Sequence, residues 1–315
     1  MTSTTPYRLS RAQLDSFNRE GYLVVEELFT DAELQPVIDE LSREVDHRAR
    51  ELAAAGELPR TYAEDDFEHR LARISLHTPK VAFSIWDGTL SGPAIFELIR
   101  NSKLLDVAEQ MCGPELIASA VYRLRPKVPQ NDYGAVPWHQ DSGYLEPYCD
   151  NTLMLTVWLP LVDATVENGC MWVMPRVHTE PVLEHQTRPG KPYLVIPPEA
   201  LPLRDTIPVP VKKRGVLLLT NRTPHASFDN NSDIVRWSMD LRYQSAALPT
   251  NAPITRLPGE AVPAPGNDVP LACYPPEADF LVRSRLRPDE VVTDPAVFHQ
   301  IRTRHLAHPV TPRWR

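Results

Sequence analysis

The sequence has no Cys-x-x-Cys pair, no long apolar run and no excess of positive charge, and each absence excludes a class of protein. Its four cysteines are irregularly spaced, which predicts free thiols in a reducing compartment rather than a disulfide scaffold. No apolar stretch approaches the roughly 20 residues that span a bilayer, and residues 1–14 contain no apolar core of a signal peptide. The formal net charge of −8 disfavours a surface for nucleic acid or anionic membranes. We therefore expect a cytoplasmic protein that binds neither nucleic acid nor a membrane.

Two widespread catalytic signatures are also absent. The chain has no Gly-x-Ser-x-Gly turn of a serine hydrolase and no glycine-rich phosphate-binding loop. Glycine is scarce, with 12 residues, whereas the 33 prolines are about twice the usual share of ~5%. This composition predicts many loops and strand ends. With 42% hydrophobic residues, the 315-residue chain can bury a substantial core.

The hydrophobic pattern divides the chain into a helical part, a part rich in strands and an extension. Between residues 10 and 113, apolar residues recur at helical spacing, and Thr30 with Glu33 forms a capping-box signature before the longest helix. From about 115 to 245, short apolar strands alternate with turns. Residues 246–315 are rich in proline and weakly periodic, so we expect an irregular extension. The order predicts one domain over 1–315, mainly β with flanking α-helices, built as an antiparallel sandwich or barrel.

The stretch Trp138-His139-Gln140-Asp141 contains the most informative pair of polar residues. Successive side chains of an extended strand point to opposite sides, so His139 and Asp141 share one face. A histidine from another strand would complete the set of two histidines and one carboxylate that is typical of non-haem Fe(II) sites. Because a His-x-Asp pair alone also fits a solvated loop, the prediction depends on the third ligand.

Two histidines are candidates for that third ligand. His178 follows the predicted strand at 170–174, and His225 follows an apolar strand of its own. His225 has the more informative neighbours, because Ser227 lies on the same face and Arg236 lies on the next predicted strand. A buried arginine binds a carboxylate through two parallel hydrogen bonds, which an oxygenase that uses a 2-oxo diacid requires.

Together these motifs resemble the phytanoyl-CoA dioxygenase family of Fe(II)- and 2-oxoglutarate-dependent oxygenases. The resemblance extends from about Leu14 to Tyr243. It is carried by the stretches 17–22, 138–141, 156–161 and 168–170, together with His225 and Arg236.

The resemblance implies a double-stranded β-helix, the jelly roll also found in cupins, and three cofactors, Fe(II), 2-oxoglutarate and O₂. The residues that it implies are the iron ligands His139, Asp141 and His225 and the cosubstrate residues Arg236, Ser227 and Trp158. For Trp158, plain core packing is the alternative. The implied reaction is hydroxylation, or desaturation or ring closure, at an unactivated C–H bond of a small molecule, with release of succinate and CO₂.

Two details qualify the resemblance. The chain has Pro175-Arg176-Val177-His178 where the family usually has Pro-Gly-Ser-His, and in the family this histidine is not a ligand. Asp141 bears on the reaction type, because related halogenases lack this carboxylate and bind chloride in its place. Its presence favours hydroxylation over halogenation.

Two other functions remain open. One is a cupin-like metal enzyme that does not use 2-oxoglutarate, and the other is a catalytically silent jelly-roll binding protein. The substrate itself is not predictable from the sequence. Trp138, Gln140 and Tyr144 flank the metal motif and are candidates for lining its pocket, although ordinary packing explains them equally well.

Overall fold

Two antiparallel β-sheets face each other, and α-helices pack on the outer side of the larger sheet. This arrangement is seen in a computed structural model that describes residues 6–131, 134–145, 147–187, 193–248 and 278–306. The helices within these ranges are α1 (Arg11–Glu20), α2 (Asp31–Ala54), α3 (Arg70–Ser75), α4 (Lys80–Trp86), α5 (Pro93–Ile99), α6 (Ser102–Cys112) and α7 (Pro295–Leu306). Within the same ranges, none of them is long and apolar enough to cross a bilayer.

One strand lies between α1 and α2 in the chain, and the other strands follow α6 and precede α7. They are β1 (Tyr22–Val25), β2 (Leu116–Ser119), β3 (Arg123–Lys127), β4 (Val136–His139), β5 (Met154–Pro160), β6 (Met171–Val173), β7 (Gln186–Thr187), β8 (Leu194–Val195), β9 (Ile207–Val209), β10 (Val216–Thr220), β11 (His225–Ser227), β12 (Arg236–Ser245) and β13 (Asp279–Arg283). The larger sheet has the order β1-β10-β5-β12-β2-β13, with β3 also paired to β12. The smaller sheet has the order β4-β11-β6-β9, and β7 pairs with β8.

Strand β12 is the axis of the larger sheet. It pairs with β5 on one side and with β3 and then β2 on the other. Since side chains alternate along a strand, its apolar residues pack against the helices, and its polar residues point toward the smaller sheet. The polar set comprises Arg236, Ser238, Asp240 and Arg242, and all four are buried. A row of buried polar residues is therefore built into the centre of the fold.

The N-terminal helices follow the predicted pattern. Thr30 and Glu33 form a complete capping box at the start of α2, and the apolar face of that helix is buried. The helix continues through Pro36 and ends at Ala54. Cys112, Cys149 and Cys170 form no disulfide, and Cys273 lies outside the described residues.

One predicted strand is wrong in its extent. The apolar stretch 117–124 predicts one strand, but β2 ends at Ser119 and β3 starts at Arg123. The interruption has a distant cause, because the carbonyl oxygens of Ala120 and Tyr122 accept hydrogen bonds from Arg302 in α7 rather than from a neighbouring strand. The predicted loop before His139 is correspondingly shorter, since β3 extends to Lys127.

The extension 246–315 is also more ordered than expected within residues 278–306. Strand β13 adds to the edge of the larger sheet beside β2, and α7 packs against α5. Phe298 of α7 is fully buried and stacks on Phe96 of α5, with ring centroids 4.8 Å apart. Residues 249–277 and 307–315 lie outside the described ranges.

Arg302 fixes α7 to the rest of the protein. Its guanidinium is 1% exposed and donates to the carbonyl oxygens of Gly88, Ala120 and Tyr122. It also lies over the Tyr122 ring, 4.2 Å from the centroid. Removing it leaves buried carbonyl groups without donors, which costs free energy.

We therefore expect Arg302→Met to lower the free energy of unfolding by about 2–4 kcal/mol, because several charge-assisted hydrogen bonds are lost. Urea unfolding followed by circular dichroism measures this. Arg304→Met is the matched control, because Arg304 is exposed on the same helix. Equal stability of the two variants would show that the hydrogen bonds of Arg302 contribute nothing to stability.

Candidate metal centre

His139 and His225 lie directly opposite each other in the smaller sheet. His139 is the last residue of β4, His225 is the first of β11, and the two are paired in the antiparallel register. Residues opposite one another in such a pair point to the same side of the sheet. The two ring centroids are accordingly 4.2 Å apart, and both side chains are buried.

The backbone fixes the orientation of both imidazole rings. Nδ1 of His139 lies 2.9 Å from the carbonyl oxygen of Pro137, and Nδ1 of His225 lies 2.9 Å from that of Thr223. A carbonyl oxygen only accepts, so Nδ1 carries the hydrogen in both rings. Each Nε2 then keeps its lone pair for a metal ion, as in most protein metal sites with histidine ligands.

Asp141 brings a carboxylate to the same place. The strand ends at His139, and Asp141 starts a short 3₁₀ helix that extends to Tyr144. Gln140 between them is still extended, with φ −116° and ψ 141°, so the expected shared direction of His139 and Asp141 is kept. One ligand atom from each of His139, Asp141 and His225 lies within 4.8 Å of the others.

Arg242 and Thr156 hold the carboxylate of Asp141. Nε of Arg242 donates to Oδ2 at 3.1 Å and its second terminal nitrogen donates to Oδ1 at 3.2 Å, and the Thr156 hydroxyl also donates to Oδ2. Burial alone would raise the pKa of Asp141, but the charge of Arg242, with the two histidines, lowers it below the ordinary value. The carboxylate is therefore ionised, as a metal ligand must be.

The histidines are kept neutral. Burial, reinforced by the neighbouring His225, lowers the pKa of His139 to about 3, and burial also lowers the pKa of His225. Two neutral imidazoles and one carboxylate, all within reach of a single point, match the donor set of a non-haem Fe(II) centre. The residues present thus fit the iron that the fold and sequence imply.

A cavity connects this cluster to Arg236. Its lining includes His139, His225, Trp158, Ser227 and Arg236. The histidines therefore share one enclosed space with the three residues that the sequence assigns to a cosubstrate.

The Arg236 guanidinium is 1% exposed and forms no ion pair with any acidic side chain in the described ranges. It donates to Ser227 Oγ at 3.2 Å and to Ser238 Oγ, and its Nε has no hydrogen-bond partner. It also lies 5.3 Å from the centroid of the Trp158 ring. A buried cation without an anion is costly, so this end of the cavity is suited to a carboxylate.

His178, the competing ligand candidate, lies elsewhere. Its Nε2 is 3.1 Å from the carbonyl oxygen of Asn18, and its ring packs against Gly21. It connects the end of α1 to the short helix Val177–Thr179. Only His225 of the two candidates belongs to the cluster.

Gln140 is not among the residues that line the cavity. Its side chain is fully buried, its amide nitrogen donates to the carbonyl oxygen of Arg222 at 2.6 Å, and its amide oxygen accepts from Leu183 N at 2.8 Å. These bonds hold the loop that carries the metal motif. A contact with the substrate stays a prediction for this residue.

Trp138 and Tyr144 also lie beside the cavity rather than in its lining. Trp138 packs edge-on against Phe228, with centroids 6.2 Å apart. Tyr144 packs edge-on against His139, and its hydroxyl accepts from Leu194 N at 2.8 Å. Their observed contacts are packing contacts, and their roles toward a substrate remain predictions.

Sequence analysis missed five polar residues at the site, namely Arg125, Lys127, Thr156, Asp240 and Arg242. The two-residue alternation along β12 contains the signal for Asp240 and Arg242, because both share the face of Arg236. Thr156 likewise shares the face of Trp158 on β5. Arg125 and Lys127 had no such signal, because their position depends on the pairing of β3 with β12.

Comparison with known proteins agrees with this geometry. The family model for phytanoyl-CoA dioxygenase (PhyH) matches residues 17–238. The phytanoyl-CoA dioxygenase of Arabidopsis thaliana is 25% identical over 275 residues, covering 76% of this chain and 95% of that protein. Phytanoyl-CoA dioxygenase 1 of rice (Oryza sativa subsp. japonica) is 28% identical over 257 residues, covering 74% and 88%.

Two solved structures have a similar fold. The epimerase SnoN, crystallised with Fe³⁺, alpha-ketoglutarate and nogalamycin RO, aligns with a TM-score of 0.52 at 19% identity, covering 80% of this chain and 91% of SnoN. EctD from S. alaskensis, crystallised with 2-oxoglutarate and 5-hydroxyectoine, aligns with a TM-score of 0.51 at 19% identity, covering 79% and 80%.

A jelly roll with a buried cluster of two histidines and one carboxylate, together with the family match, identifies a non-haem Fe(II)- and 2-oxoglutarate-dependent oxygenase. The chain belongs to the phytanoyl-CoA dioxygenase family. The predictions of family, fold class, enzyme class and cofactors are thereby confirmed. The roles of individual residues stay predictions.

We expect His139→Ala and His225→Ala each to weaken divalent-metal binding by more than about a hundredfold, since even the loss of a supporting partner costs 10–100-fold. Titration of metal-free protein with Co(II), followed by its visible absorption, measures this. His178→Ala is the control and should bind like the wild type. Loss of binding in His178→Ala with normal binding in His225→Ala would refute the ligand assignment.

Proposed function

We propose that this protein couples the oxidative decarboxylation of 2-oxoglutarate to the oxidation of an unactivated C–H bond in a small molecule, most simply its hydroxylation. The observation that carries the proposal is the unpaired, buried Arg236 in the same cavity as His139 and His225. A metal cluster alone fits many reactions. A metal cluster with a carboxylate receptor at the far end of its cavity fits a chelating diacid.

In this proposal, His139, Asp141 and His225 hold Fe(II), and the metal with 2-oxoglutarate and O₂ supplies the oxidising chemistry. Arg236 and Ser227 bind the distal carboxylate of the cosubstrate, and Trp158 covers it. The ionised Asp141 occupies the position that chloride takes in the related halogenases. Arg242 keeps that carboxylate ionised and directed at the metal through its two hydrogen bonds.

We propose that the substrate occupies a second cavity on the same inner face of the sheet. Arg242 borders both cavities. The walls of the second cavity combine apolar residues, such as Ile117 and Met154, with polar ones, such as Ser119 and Asp279. The mixture favours a small, partly polar metabolite. A cytoplasmic location and a single domain over 1–315 complete the proposal.

Arg236→Ala should weaken 2-oxoglutarate binding by about 2–5 kcal/mol, or tens- to thousands-fold, because the diacid is left with an unpaired buried charge. Arg236→Lys should recover only part, since an ammonium lacks the planar fork. Anaerobic titration of the Fe(II) protein with 2-oxoglutarate, followed by the metal-to-ligand charge-transfer band, measures the affinity.

Fe(II) binding by both Arg236 variants is the control and should stay normal. An unchanged 2-oxoglutarate titration for Arg236→Ala would favour the cupin-like metal enzyme that does not use this cosubstrate. Wild-type protein that binds no metal would favour a silent binding protein. A screen of metabolites for stimulated succinate release identifies the substrate class.

The carboxylate of Asp141 should determine the reaction outcome. With chloride present, the wild type should give an oxygenated product and no chlorinated one, and Asp141→Gly should lose oxygenation. Mass spectrometry of the products distinguishes these outcomes. Undiminished oxygenation by Asp141→Gly would mean that Asp141 is not a ligand.

A further inference from the structure

Lys127 lies behind Ser227, which lines the cosubstrate cavity. It is the last residue of β3, is paired with Arg236 of β12, and is 1% exposed. Its Nζ donates to Ser227 Oγ at 2.7 Å and also to the carbonyl oxygen of Phe228. Ser227 Oγ therefore accepts hydrogen bonds from both Lys127 and Arg236.

Two glycines lie against the side chain of Lys127, where a larger residue would come too close to it. A Cβ added to Gly169 would lie 2.9 Å from Cδ of Lys127, and one added to Gly134 would lie 3.1 Å from its Cγ. The lysine stem therefore passes close to the backbone of two different loops. Burying it in this way brings the amine to the serine beside the metal cluster.

The charges around Lys127 are mostly of its own sign. Burial, followed by the charge of Arg236 on β12 and of Arg125 on its own strand, lowers the pKa of Lys127 to about 6. Asp229, after β11, and the buried thiol of Cys170, before β6, oppose this shift. Within the described ranges, Lys127 forms no ion pair with an acidic side chain. Near pH 7.5 its amine is therefore mostly neutral in the ligand-free protein.

We propose that Lys127 is a third member of the cosubstrate site, and that binding of the distal carboxylate at Arg236 and Ser227 is accompanied by the uptake of one proton by Lys127. The inference rests on the proposed use of 2-oxoglutarate. A carboxylate placed on Arg236 brings the missing negative charge close to Lys127 and favours its ammonium form. Lys127 acts through Ser227, so it is a positioning residue rather than a catalytic one.

The hydrogen bonds of Ser227 show how it acts. In the ligand-free protein the Ser227 hydroxyl donates to the carbonyl oxygen of Gly169 at 3.0 Å. Because Lys127 and Arg236 occupy its acceptor sites, the hydroxyl hydrogen is the one part of Ser227 that can turn toward an incoming carboxylate. In the complex, the ammonium of Lys127 holds Ser227 Oγ in place while the hydroxyl hydrogen of Ser227 turns toward the carboxylate.

The pH dependence follows from the sign of the shift. The pKa of Lys127 is about 6 without ligand and rises on binding, so the complex holds more protons than the free protein above pH 6. Affinity for 2-oxoglutarate should then fall as pH rises from 6.5 to 8.5, by up to about tenfold per unit, the limit for uptake of one proton. Arg236, whose pKa is lowered by burial to about 9, stays mostly charged over this range.

Calorimetric titration of the Mn(II)-loaded full chain with 2-oxoglutarate, in buffers of different ionisation enthalpy, counts the protons taken up. At pH 8 the wild type should take up close to one proton. Pyruvate has the same metal-chelating oxo acid but no distal carboxylate, so it should take up none. Lys127→Met should lose both the uptake and the pH slope, and its affinity deficit should be largest at pH 6.5 and smaller at pH 8.5.

Lys212→Met, at an exposed lysine, is the matched control and should behave like the wild type. If Lys127→Met fails to fold, the comparison of 2-oxoglutarate with pyruvate on the wild type still tests whether the distal carboxylate causes proton uptake. Binding of 2-oxoglutarate without proton uptake, or uptake that persists in Lys127→Met, would overturn the inference and leave the proposed function intact. Absence of any 2-oxoglutarate binding by the wild type would overturn both.

Discussion

The arrangement of the site depends on the cost of burying charge in the centre of a sheet. Strand β12 is buried on both faces, yet it carries Arg236, Asp240 and Arg242 on the face toward the smaller sheet. An ion taken out of water costs several kcal/mol unless other charges and hydrogen bonds compensate it. Asp240 pairs with Arg125 and Arg242, and Arg242 also pairs with Asp141. Among the described residues, Arg236 is left without an acidic partner, and it lies at the far end of the cavity.

The pairing of strands in the smaller sheet sets the relative positions of the two histidines. His139 and His225 meet because β4 and β11 are neighbours in register, and each ring is oriented by the backbone carbonyl group two residues before it. Asp141 reaches the same point from outside the strand because Gln140 remains extended, and Gln140 is itself held by backbone groups at Arg222 and Leu183. The metal cluster is therefore pre-organised by hydrogen bonds that involve no metal, which lowers the cost of ordering the ligands when an ion binds.

Local patterns predicted the parts of the site that lie close together in the sequence. The two-residue spacing of His139 and Asp141, and the strand alternation around Arg236, are properties of a few consecutive residues. The choice of His225 over His178 required neighbours on the next strand, and these too were close in sequence. Lys127 was not predictable, since its place beside Arg236 depends on the register between strands more than 100 residues apart. The break between β2 and β3 and the docking of α7 were missed for the same reason, because Arg302 acts over about 180 residues.

The two ends of the cavity differ in whether their charged side chains are paired. Around the metal, every cation has an anionic partner, so Asp141 is held in place whether or not a ligand is present. At the far end, Arg236 and Lys127 meet at one serine, with no anionic side chain from the described residues between them, and in the proposed function a carboxylate supplies that anion. In the proposed function, a site whose charges are paired at the metal cluster and positive at the other end binds a diacid in a single direction, with its oxo acid toward the metal. The order of charges along β3 and β12 is then what orients the cosubstrate before any contact with the substrate is made.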